Sequence, residues 1–335
     1  MIEFINIGKS YDGVRVIDGL NLHIARGEFV VMIGASGSGK STILKMINRL
    51  EPHDAGKILF NNEEIYKFKV RDLRLRMGYA IQSVGLFPHW TVERNIATVP
   101  HMLGWDKPTI NNRVTELLEL FQLDPALYRT RYPHQLSGGQ QQRIGVARAL
   151  AADPDVLLMD EPFGALDPAT RAALQQEIKR VHQTSGKTIV LVTHDIDEAL
   201  LLATKIVVLD QGRVVQAGSP MDILVHPAND FVVNFMGRSD MGIKLLSLQQ
   251  VQHLARAQAA LPGPGPSLPL HTSLREAVSM MAMLQIDQVN VQDDSGLHAG
   301  VLHAMDIFRT TGVHSGDAAQ AVAMAQPHRA TVTPA

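Results

Sequence analysis

The sequence predicts an α/β fold, and three observations support this prediction. Short apolar runs rich in β-branched residues, "EFVVMIG", "DVLLMDE" and "TIVLVTHD", alternate with longer stretches of helical periodicity, a pattern typical of a buried parallel sheet with crossover helices. A glycine-rich segment directly follows the first of these runs and opens a helical pattern. Two further segments, "FINIGKSYDGVRVIDGLNLHI" and "KIVVLDQGRVVQAGS", alternate apolar and polar residues across glycine-containing turns. They predict antiparallel hairpins that form a side sheet.

Composition excludes several classes of protein. With 335 residues and 45% hydrophobic content, the chain can build a large core and two or three domains, so it is not a disordered protein. The net charge of -2, with both signs interspersed, predicts no nucleic-acid partner. The absence of cysteine excludes disulfides, thiol catalysis and cysteine-ligated metals. No secretory signal and no membrane-spanning run is recognisable, so we expect a soluble, cytosolic protein.

The glycine-rich segment "GASGSGKST" predicts a phosphate-binding loop. It fits the pattern G-x-x-x-x-G-K-[ST] and has the strand-to-helix context that this pattern requires. Backbone amides and the helix N-terminus would hold the phosphates, the lysine would reach the β and γ oxygens, and the serine would ligate Mg²⁺. The predicted nucleotide-binding residues here are Gly34, Ala35, Ser36, Gly37, Ser38, Gly39, Lys40, Ser41 and Thr42.

Acidic residues follow a second buried strand. Asp160 and Glu161 end "VLLMDE", and the carboxyl end of a parallel strand is where an α/β sheet presents its ligands. We expect Asp160 to hold Mg²⁺ through water and Glu161 to orient and deprotonate the attacking water. His194 ends "TIVLVTHD" in the equivalent position of another strand. By spacing alone this histidine has a structural role more often than a catalytic one.

A second glycine-containing motif, "LSGGQQQRIGVARAL", opens another helical stretch about a hundred residues after the first. Together with the phosphate loop, it resembles the ATP-binding cassette (ABC) ATPases over about Ile2 to Gly237. The resemblance implies a P-loop nucleotide-binding domain with a parallel core sheet, an antiparallel side sheet and a helical subdomain. It also implies that Ser137, Gly138, Gly139 and Gln140 contact the ATP held by a second copy of the chain in a head-to-tail homodimer.

The resemblance assigns further residues. Tyr11 matches the aromatic side chain that stacks on adenine, and Gln82 matches the glutamine that touches Mg²⁺ and water and senses a membrane partner. Asp167 matches the aspartate at the dimer interface, and His194 matches the histidine that contacts the γ-phosphate. The implied catalytic set is Glu161, His194, Lys40 and Gln82, and the implied metal ligands are Ser41, Gln82 and Asp160.

The region after Gly237 predicts a separate regulatory domain. "LPGPGPSLP" interrupts the pattern, and residues 268–310 then read helix, strand, turn, strand, helix, with Ser273 and Glu276 spaced as a capping box. This segment resembles one CBS repeat, a small α+β unit, with Gly300 and Asp306 at its glycine and nucleotide-facing positions, so an adenine nucleotide is a candidate ligand. "IKLLSLQQVQHLARAQ" resembles a remnant of a second repeat, and the end of the chain predicts a loose tail. An unpaired repeat leaves a sheet face uncovered, so we expect the repeats of two chains to pack together.

"SVGLFPHWTVERNIATVP" and "INRLEPHDAGKI" resemble the ABC subfamily that imports quaternary-amine osmoprotectants such as glycine betaine, choline and carnitine. The resemblance implies an energy-coupling ATPase that lies at the cytoplasmic face of the inner membrane, with permease subunits and, indirectly, a substrate-binding protein as partners. Three alternatives remain: an ABC ATPase of another importer class, a soluble ABC ATPase acting on ribosomes or DNA, and a regulatory adenine-binding protein. The transported amine is not determined by this sequence.

Overall fold

The structure is a computed structural model that describes residues 1–81, 85–262 and 265–310. The chain divides into two compact units. The first comprises Met1–Ile223 and Ala228–Phe235, and the second comprises Leu224–Pro227 and the chain from Met236 onward. The domain boundary predicted at Gly237 lies beside this division. Among the described residues, no helix is both long enough and apolar enough to cross a membrane.

The first unit contains two sheets and a set of helices. Its strands are β1 (Ile2–Tyr11), β2 (Val14–Ile24), β3 (Phe29–Gly34), β4 (Ala55–Phe60), β5 (Glu63–Glu64), β6 (Met77–Ala80), β7 (Val156–Asp160), β8 (Thr188–Val192), β9 (Lys205–Asp210) and β10 (Arg213–Gly218). Its helices are α1 (Lys40–Ile47), α2 (Val70–Leu75), α3 (Val92–Ile96), α4 (Thr98–Met102), α5 (Lys107–Leu120), α6 (Pro125–Tyr128), α7 (Gly138–Leu150), α8 (Pro168–Ser185) and α9 (Ile196–Leu202). Helices α10 (Pro220–Val225) and α11 (Asp230–Met236) follow.

The larger sheet has the strand order β10-β9-β3-β8-β7-β6. Strands β3, β6, β7, β8 and β9 run parallel, and β10 is antiparallel to β9. Strands β3 and β8 are buried along their whole length, as their continuous apolar runs predict. Because the strands are parallel, β3, β7 and β8 all end at the same edge of the sheet, and that edge carries the candidate site.

The smaller sheet has the strand order β2-β1-β4-β5, and its strands are antiparallel. The prediction of an antiparallel side sheet is confirmed for the first hairpin, β1 and β2. For the second it is wrong: β9 and β10 form the predicted hairpin, but β9 pairs with β3 and extends the main sheet. The physical reason is burial, since the four central residues of β9 are all buried, which suits a strand covered on both faces rather than a half-exposed one.

The main core of the first unit joins both sheets through α1. Ile43, Leu44, Met46 and Ile47 of this helix are buried in one cluster with side chains of β1, β2 and β4 and with side chains of β3, β7, β8 and β9. Helix α1 is therefore anchored on apolar contacts at two sides, and the loop that precedes it is held by both sheets.

The second unit is small and has a core of its own. Its elements are α12 (Met241–Leu248), β11 (Ser267–Pro269), α13 (Leu274–Leu284), β12 (Gln288–Gln292), β13 (His298–His303) and α14 (Ala304–Thr310). The predicted order of helix, strand, turn, strand and helix is confirmed, and so is the capping box: Ser273 Oγ accepts a hydrogen bond from the Glu276 amide, and Glu276 accepts one from the Ser273 amide. Strand β11, which was not predicted, pairs parallel with β12. The predicted tail, residues 314–335, lies outside the described residues.

Candidate functional site

The loop between β3 and α1 packs tightly against its neighbours. Gly39 precedes the helix with a φ of 92°, a conformation that favours glycine. A Cβ atom on Gly39 would lie 2.3 Å from Cδ1 of Ile17, and a Cβ atom on Gly34 would lie 2.1 Å from the carbonyl oxygen of Leu209. Only glycine fits at these positions. Because Gly39 supplies no side-chain cap, the first amides of α1 remain available to an anion, which is the usual arrangement of a phosphate site.

Lys40 is buried within this loop. Its ammonium group donates hydrogen bonds to the carbonyl oxygens of Gly34 and Ala35, both at 2.9 Å. Burial lowers the pKa of Lys40, and the carboxylates of Glu161 and Asp160 oppose that shift. A desolvated cation held by neutral carbonyls is well suited to bind phosphate oxygens.

Ser41 and Asp160 meet at the edge of the sheet. Ser41 lies in the first turn of α1, Asp160 ends β7, and the Ser41 hydroxyl donates a hydrogen bond of 2.8 Å to Asp160 Oδ1. No cluster of three or more His, Asp or Glu side chains that could hold a metal occurs among residues 1–81, 85–262 and 265–310. One hydroxyl and one carboxylate fit Mg²⁺, which usually takes few protein ligands and completes its octahedron with water and substrate phosphates.

Glu161 and His194 form a pair beside this position. Glu161 has a φ of 45°, which is uncommon for a residue other than glycine and is frequent at functional sites. Its amide donates to the carbonyl oxygen of Val192 at 2.9 Å, which fixes the turn after β7 to the end of β8. Nδ1 of His194 lies 3.4 Å from Oε1 of Glu161, and the two side chains are 68% and 26% exposed. The two groups are therefore close together and accessible to water.

Most of these residues, though not Gly34 or Asp160, line a single cleft of about 490 Å³. Tyr11, at the end of β1, lies in its wall, and the Lys9 ammonium is 4.9 Å from the centre of the Tyr11 ring. The residues that line the cleft are Tyr11, Val16, Ser36, Gly37, Gly39, Lys40, Ser41, Thr42, Glu161 and His194. The structure thus brings the predicted phosphate loop, aromatic residue, carboxylate and histidine together. Gln82 lies outside the described residues.

The second glycine motif lies elsewhere on the first unit. Ser137 is the N-cap of α7: its hydroxyl accepts from the Gln140 amide at 3.3 Å, and Gln140 Oε1 accepts from the Ser137 amide at 3.0 Å. Gly138 has open space at its Cβ position, and a Cβ atom on Gly139 would lie 2.2 Å from Thr170 Cγ2. None of the residues from Ser137 to Gln140 lines the cleft of the same chain. The motif therefore presents an exposed helix N-terminus away from that cleft.

Asp167 is the N-cap of the neighbouring helix, α8. Its Oδ1 accepts a hydrogen bond from the Thr170 amide at 3.1 Å. Hydrogen bonds from the Thr170 side chain and amide lower the pKa of Asp167. Asp167 is thus held as a carboxylate close to the second glycine motif, because Thr170 also contacts Gly139.

The predicted nucleotide-facing aspartate of the second unit has a partner in the chain. Arg256 Nε donates to Asp306 Oδ2 at 2.7 Å, and Arg256 Nη2 donates to Asp306 Oδ1. The Arg256 side chain holds the pKa of Asp306 below its usual range. A Cβ atom on Gly300 would lie 2.5 Å from the Arg256 carbonyl oxygen, so glycine there allows the Arg256 segment to approach. Both residues singled out in the CBS-like repeat are thus in contact with Arg256.

Some residues of interest were not predicted. Val16 lines the cleft from the start of β2, and Glu198 is buried behind the His194 loop. Val16 carries no chemical signal in the sequence, and Glu198 lies in an ordinary helical pattern. The position of Val16 in the cleft depends on long-range packing, whereas Glu198 reaches the loop through local contacts with Thr193 and Asp195.

Comparison with known proteins identifies the family. The family model described as ABC transporter matches residues 17–164. The glycine betaine uptake system ATP-binding protein YehX of Escherichia coli (strain K12) is 54% identical over 308 residues, covering 92% of this chain and 99% of that protein. The chain belongs to the ABC transporter family. As an ABC-type ATPase, it binds and hydrolyses ATP, which confirms the predicted fold class and enzymatic activity.

Other ABC proteins resemble the chain in sequence and in structure. The choline transport ATP-binding protein OpuBA of Bacillus subtilis (strain 168) is 45% identical over 90% of this chain and 77% of that protein. The dimeric structure of MJ0796, a bacterial ABC transporter cassette, has a TM-score of 0.60 and 34% identity, and the match covers 66% of this chain and 99% of that one. A post-hydrolysis dimer of MJ0796 bound to ADP and Pi also matches with a TM-score of 0.60.

Proposed function

We propose that this ABC ATPase is the energy-coupling subunit of an importer for quaternary-amine osmoprotectants such as glycine betaine, choline and carnitine. The observation that supports this proposal most directly is the 54% identity to the glycine betaine uptake protein YehX over 92% of the chain. Relatives named for choline, carnitine and general osmoprotectant transport also match 90% to 93% of the chain. The proposed domains are residues 1–237, which bind and hydrolyse ATP, and residues 238–335, which form a CBS-like regulatory region.

The similarity to another importer class is less extensive. The sulfate/thiosulfate import protein CysA of Pseudomonas aeruginosa is 43% identical, but the match covers 76% of this chain. The longer matches favour the osmoprotectant class because they leave less of the chain unmatched. The test is uptake into proteoliposomes that contain the chain, its permease and internal Mg-ATP. We expect glycine betaine, choline or carnitine to enter when the binding protein is added, and sulfate to stay outside. Uptake of sulfate alone would reject the osmoprotectant assignment.

We propose that ATP is hydrolysed in the cleft that Tyr11, Lys40 and Glu161 line. Bound Mg²⁺ would neutralise phosphate charge, with Ser41, Asp160 and Gln82 as the residues that hold it directly or through water. Lys40 and the amides at the start of α1 bind the phosphates, and Tyr11 stacks on the adenine. Glu161 orients the attacking water and accepts its proton, and His194, which lies 3.4 Å from Glu161, contacts the γ-phosphate.

We further propose that two copies of the chain form a head-to-tail homodimer with two composite ATP sites. Supporting this, the signature residues Ser137 to Gln140 do not line the cleft of their own chain, and the structurally similar cassette MJ0796 is dimeric. A helix N-terminus with a flanking serine is suited to bind the γ-phosphate of a partner's nucleotide. Asp167 lies on the same side, since its cap partner Thr170 contacts Gly139.

A groove of about 370 Å³ on the first unit is the proposed contact site for the permease. It is lined by Arg74, Gly78, Phe87, Val99 and Arg148, among others. Phe87 is exposed and packs on Trp90 with ring centres 4.3 Å apart. A cytoplasmic permease segment with an apolar side chain for Phe87 would fit this groove, and would place this subunit at the cytoplasmic face of the membrane.

For the second unit, we propose regulation by an adenine nucleotide at Asp306. Such a ligand has to displace Arg256 from the Asp306 carboxylate. The test is equilibrium binding of AMP to chains that carry Lys40→Ala, which weakens the cassette site. We expect Asp306→Ala to abolish binding of AMP and Arg256→Ala to strengthen it. Equal binding by all three chains would reject this site.

A further inference from the structure

The loop that carries His194 is anchored on both sides of the histidine. The buried Thr193 hydroxyl donates a hydrogen bond of 2.6 Å to Glu198 Oε2 and accepts one from the Asp195 amide at 3.1 Å. Asp195 Oδ1 accepts hydrogen bonds from the amides of Asp197 at 2.9 Å and Glu198 at 3.1 Å, which caps α9. Of the three loop residues, only His194 extends into the cleft, while the side chains before and after it are fixed to α9.

Glu198 is the centre of this arrangement. It is buried, and burial raises the pKa of its carboxyl group, while the hydrogen bond from Thr193 opposes the shift. Its other oxygen, Oε1, accepts a hydrogen bond of 3.3 Å from Gln175 Nε2 of α8. Burial of a carboxyl group costs free energy, and partners compensate for that cost only when they are well placed. Both carboxylate oxygens of the buried Glu198 accept hydrogen bonds, one from the loop and one from α8. This arrangement indicates that the position of the loop relative to α8 is fixed.

Helix α8 supports the loop at a second point. The Arg171 guanidinium lies 3.6 Å from Asp195 Oδ2 and also donates to the carbonyl oxygen of Leu166 at 3.3 Å. Together with Gln175, it fixes the His194 loop to α8 as well as to α9.

The same helix also contacts the signature helix α7. Thr170 fills the space beside Gly139, and Glu177 lies 3.5 Å from the Arg143 guanidinium in a largely buried pair. One rigid helix thus touches both the loop that faces this chain's own ATP and the motif that would face the partner's ATP.

We propose that Glu198 is a positioning residue, which holds the Thr193 hydroxyl and thereby sets the orientation of the His194 imidazole for ATP hydrolysis. The inference rests on the catalytic role proposed for His194. Glu198 itself lies behind the loop and touches no reacting atom. Loss of its contact with Thr193 displaces the histidine and leaves Lys40 and the amides at the start of α1, which bind the phosphates, in place.

The most direct test replaces the Thr193 hydroxyl. Thr193→Val keeps the shape of the side chain and removes the hydrogen bond to Glu198, and we expect kcat to fall about 10- to 100-fold because small misplacements of a catalytic group have effects of this size. The KM for ATP should change less than about 2-fold, since Lys40 and the α1 amides still bind the phosphates. Thr193→Ser, which keeps the hydroxyl, should restore most of the rate.

The matched control is Thr188→Val, at the opposite end of β8. Thr188 is also buried, and its hydroxyl accepts a hydrogen bond from the Gly27 amide at 2.9 Å, so its loss measures the general cost of removing a buried hydroxyl. We expect Thr188→Val to lower the melting temperature and to leave kcat close to that of the unaltered chain. Glu198→Leu, which keeps volume and removes both acceptors, should reproduce the kcat loss of Thr193→Val.

His194→Ala, measured in parallel, distinguishes a failure of the positioning role of Glu198 from a failure of the catalytic role proposed for His194. If His194→Ala abolishes turnover and Thr193→Val turns over as fast as Thr188→Val, the positioning role of Glu198 is overturned while the role of His194 stands. If His194→Ala keeps full turnover, the proposed role of the histidine is wrong and the inference is overturned with it. An equal loss of kcat in Thr193→Ser and Thr193→Val would also contradict the proposal, since the hydroxyl would then be irrelevant.

Discussion

Replacement of Glu161 by glutamine is the most informative perturbation of the candidate site. Glutamine has the same size and keeps an oxygen that can orient water, but it cannot accept the proton. If Glu161 is the general base, ATP will still bind and close the dimer while hydrolysis nearly stops. The expected product is a dimer that is stable for as long as ATP is present.

The expected magnitudes differ greatly between catalysis and folding. Removal of a general base lowers the rate by about 10²- to 10⁴-fold. The stability of the fold should change by less than about 1 kcal/mol, because the pair with His194 is exposed to water, with side chains 68% and 26% exposed. The turn itself is held by the Glu161 amide, which donates to Val192 and is unaffected by the substitution.

Size-exclusion chromatography with Mg-ATP and a phosphate-release assay measure both effects. Glu28→Gln is a suitable control: the Glu28 side chain is also 26% exposed, but it precedes β3 and therefore lies at the opposite edge of the parallel sheet. That variant should hydrolyse ATP normally and form no trapped dimer. A Glu161→Gln chain that stays monomeric with ATP and turns over at the normal rate would remove Glu161 from the proposed role.

Three further predictions concern binding, assembly and regulation. Lys40→Ala deletes a buried cation and should weaken ATP binding by at least about 10-fold, as measured by equilibrium titration, and it should prevent ATP-driven dimerisation; unchanged affinity would contradict this. Ser137→Arg should block the ATP site of the partner chain. A mixture of Ser137→Arg and Lys40→Ala chains should therefore hold at most one intact composite site per heterodimer. Crosslinking of position 137 to an ATP analogue bound by the partner tests the trans arrangement directly. A chain that ends after Gly237 should keep basal ATPase activity, because the described site residues all lie in the first unit. The transporter assembled with this short chain should respond differently to salt or nucleotide. Loss of ATPase activity in the short chain would show that the second unit has a structural role.

The parts of the fold that could be predicted were those governed by local patterns. Strands β3, β7 and β8 follow from continuous apolar runs, and the capping box at Ser273 follows from residue spacing. The sheet to which β9 and β10 belong could not be predicted in this way, since a hairpin pattern does not specify its neighbour. That choice depends on the pairing of β9 with β3, across more than a hundred residues of sequence.

The same distinction applies to the site. The phosphate loop and the acidic residues at the end of β7 could be predicted because parallel strands end at a common edge, which brings Ser41 within 2.8 Å of Asp160. The proximity of His194 to Glu161 depends on the order of β7 and β8 in the sheet. The role proposed for Glu198 required the side-chain contacts between α8, α9 and the loop, and a glutamate in a helical pattern carries no signal of such a role.

The second unit shows how a long-range contact can change an expectation based on a motif. An unpaired CBS-like repeat was expected to leave one sheet face uncovered for a partner chain. Val289 and Leu302, which pair with each other, lie on the core side of β12 and β13, and the expected uncovered face is the opposite one. The chain covers part of it with its own preceding segment: Asn290 Oδ1 accepts from the Leu261 amide at 2.9 Å, and the Gln258 side chain bonds to His303 at 3.1 Å.

Val301, on the same face as Asn290, is completely buried and pairs through its backbone with Arg256. The salt bridge from Arg256 to Asp306 fastens the segment at this point. The physical reason to expect a second repeat from a partner chain therefore disappears for the covered part of the face. A nucleotide at Asp306 has to displace the Arg256 side chain from the carboxylate. Because Arg256 belongs to the covering segment, we expect such a ligand to remove one of the contacts that hold the segment on this face.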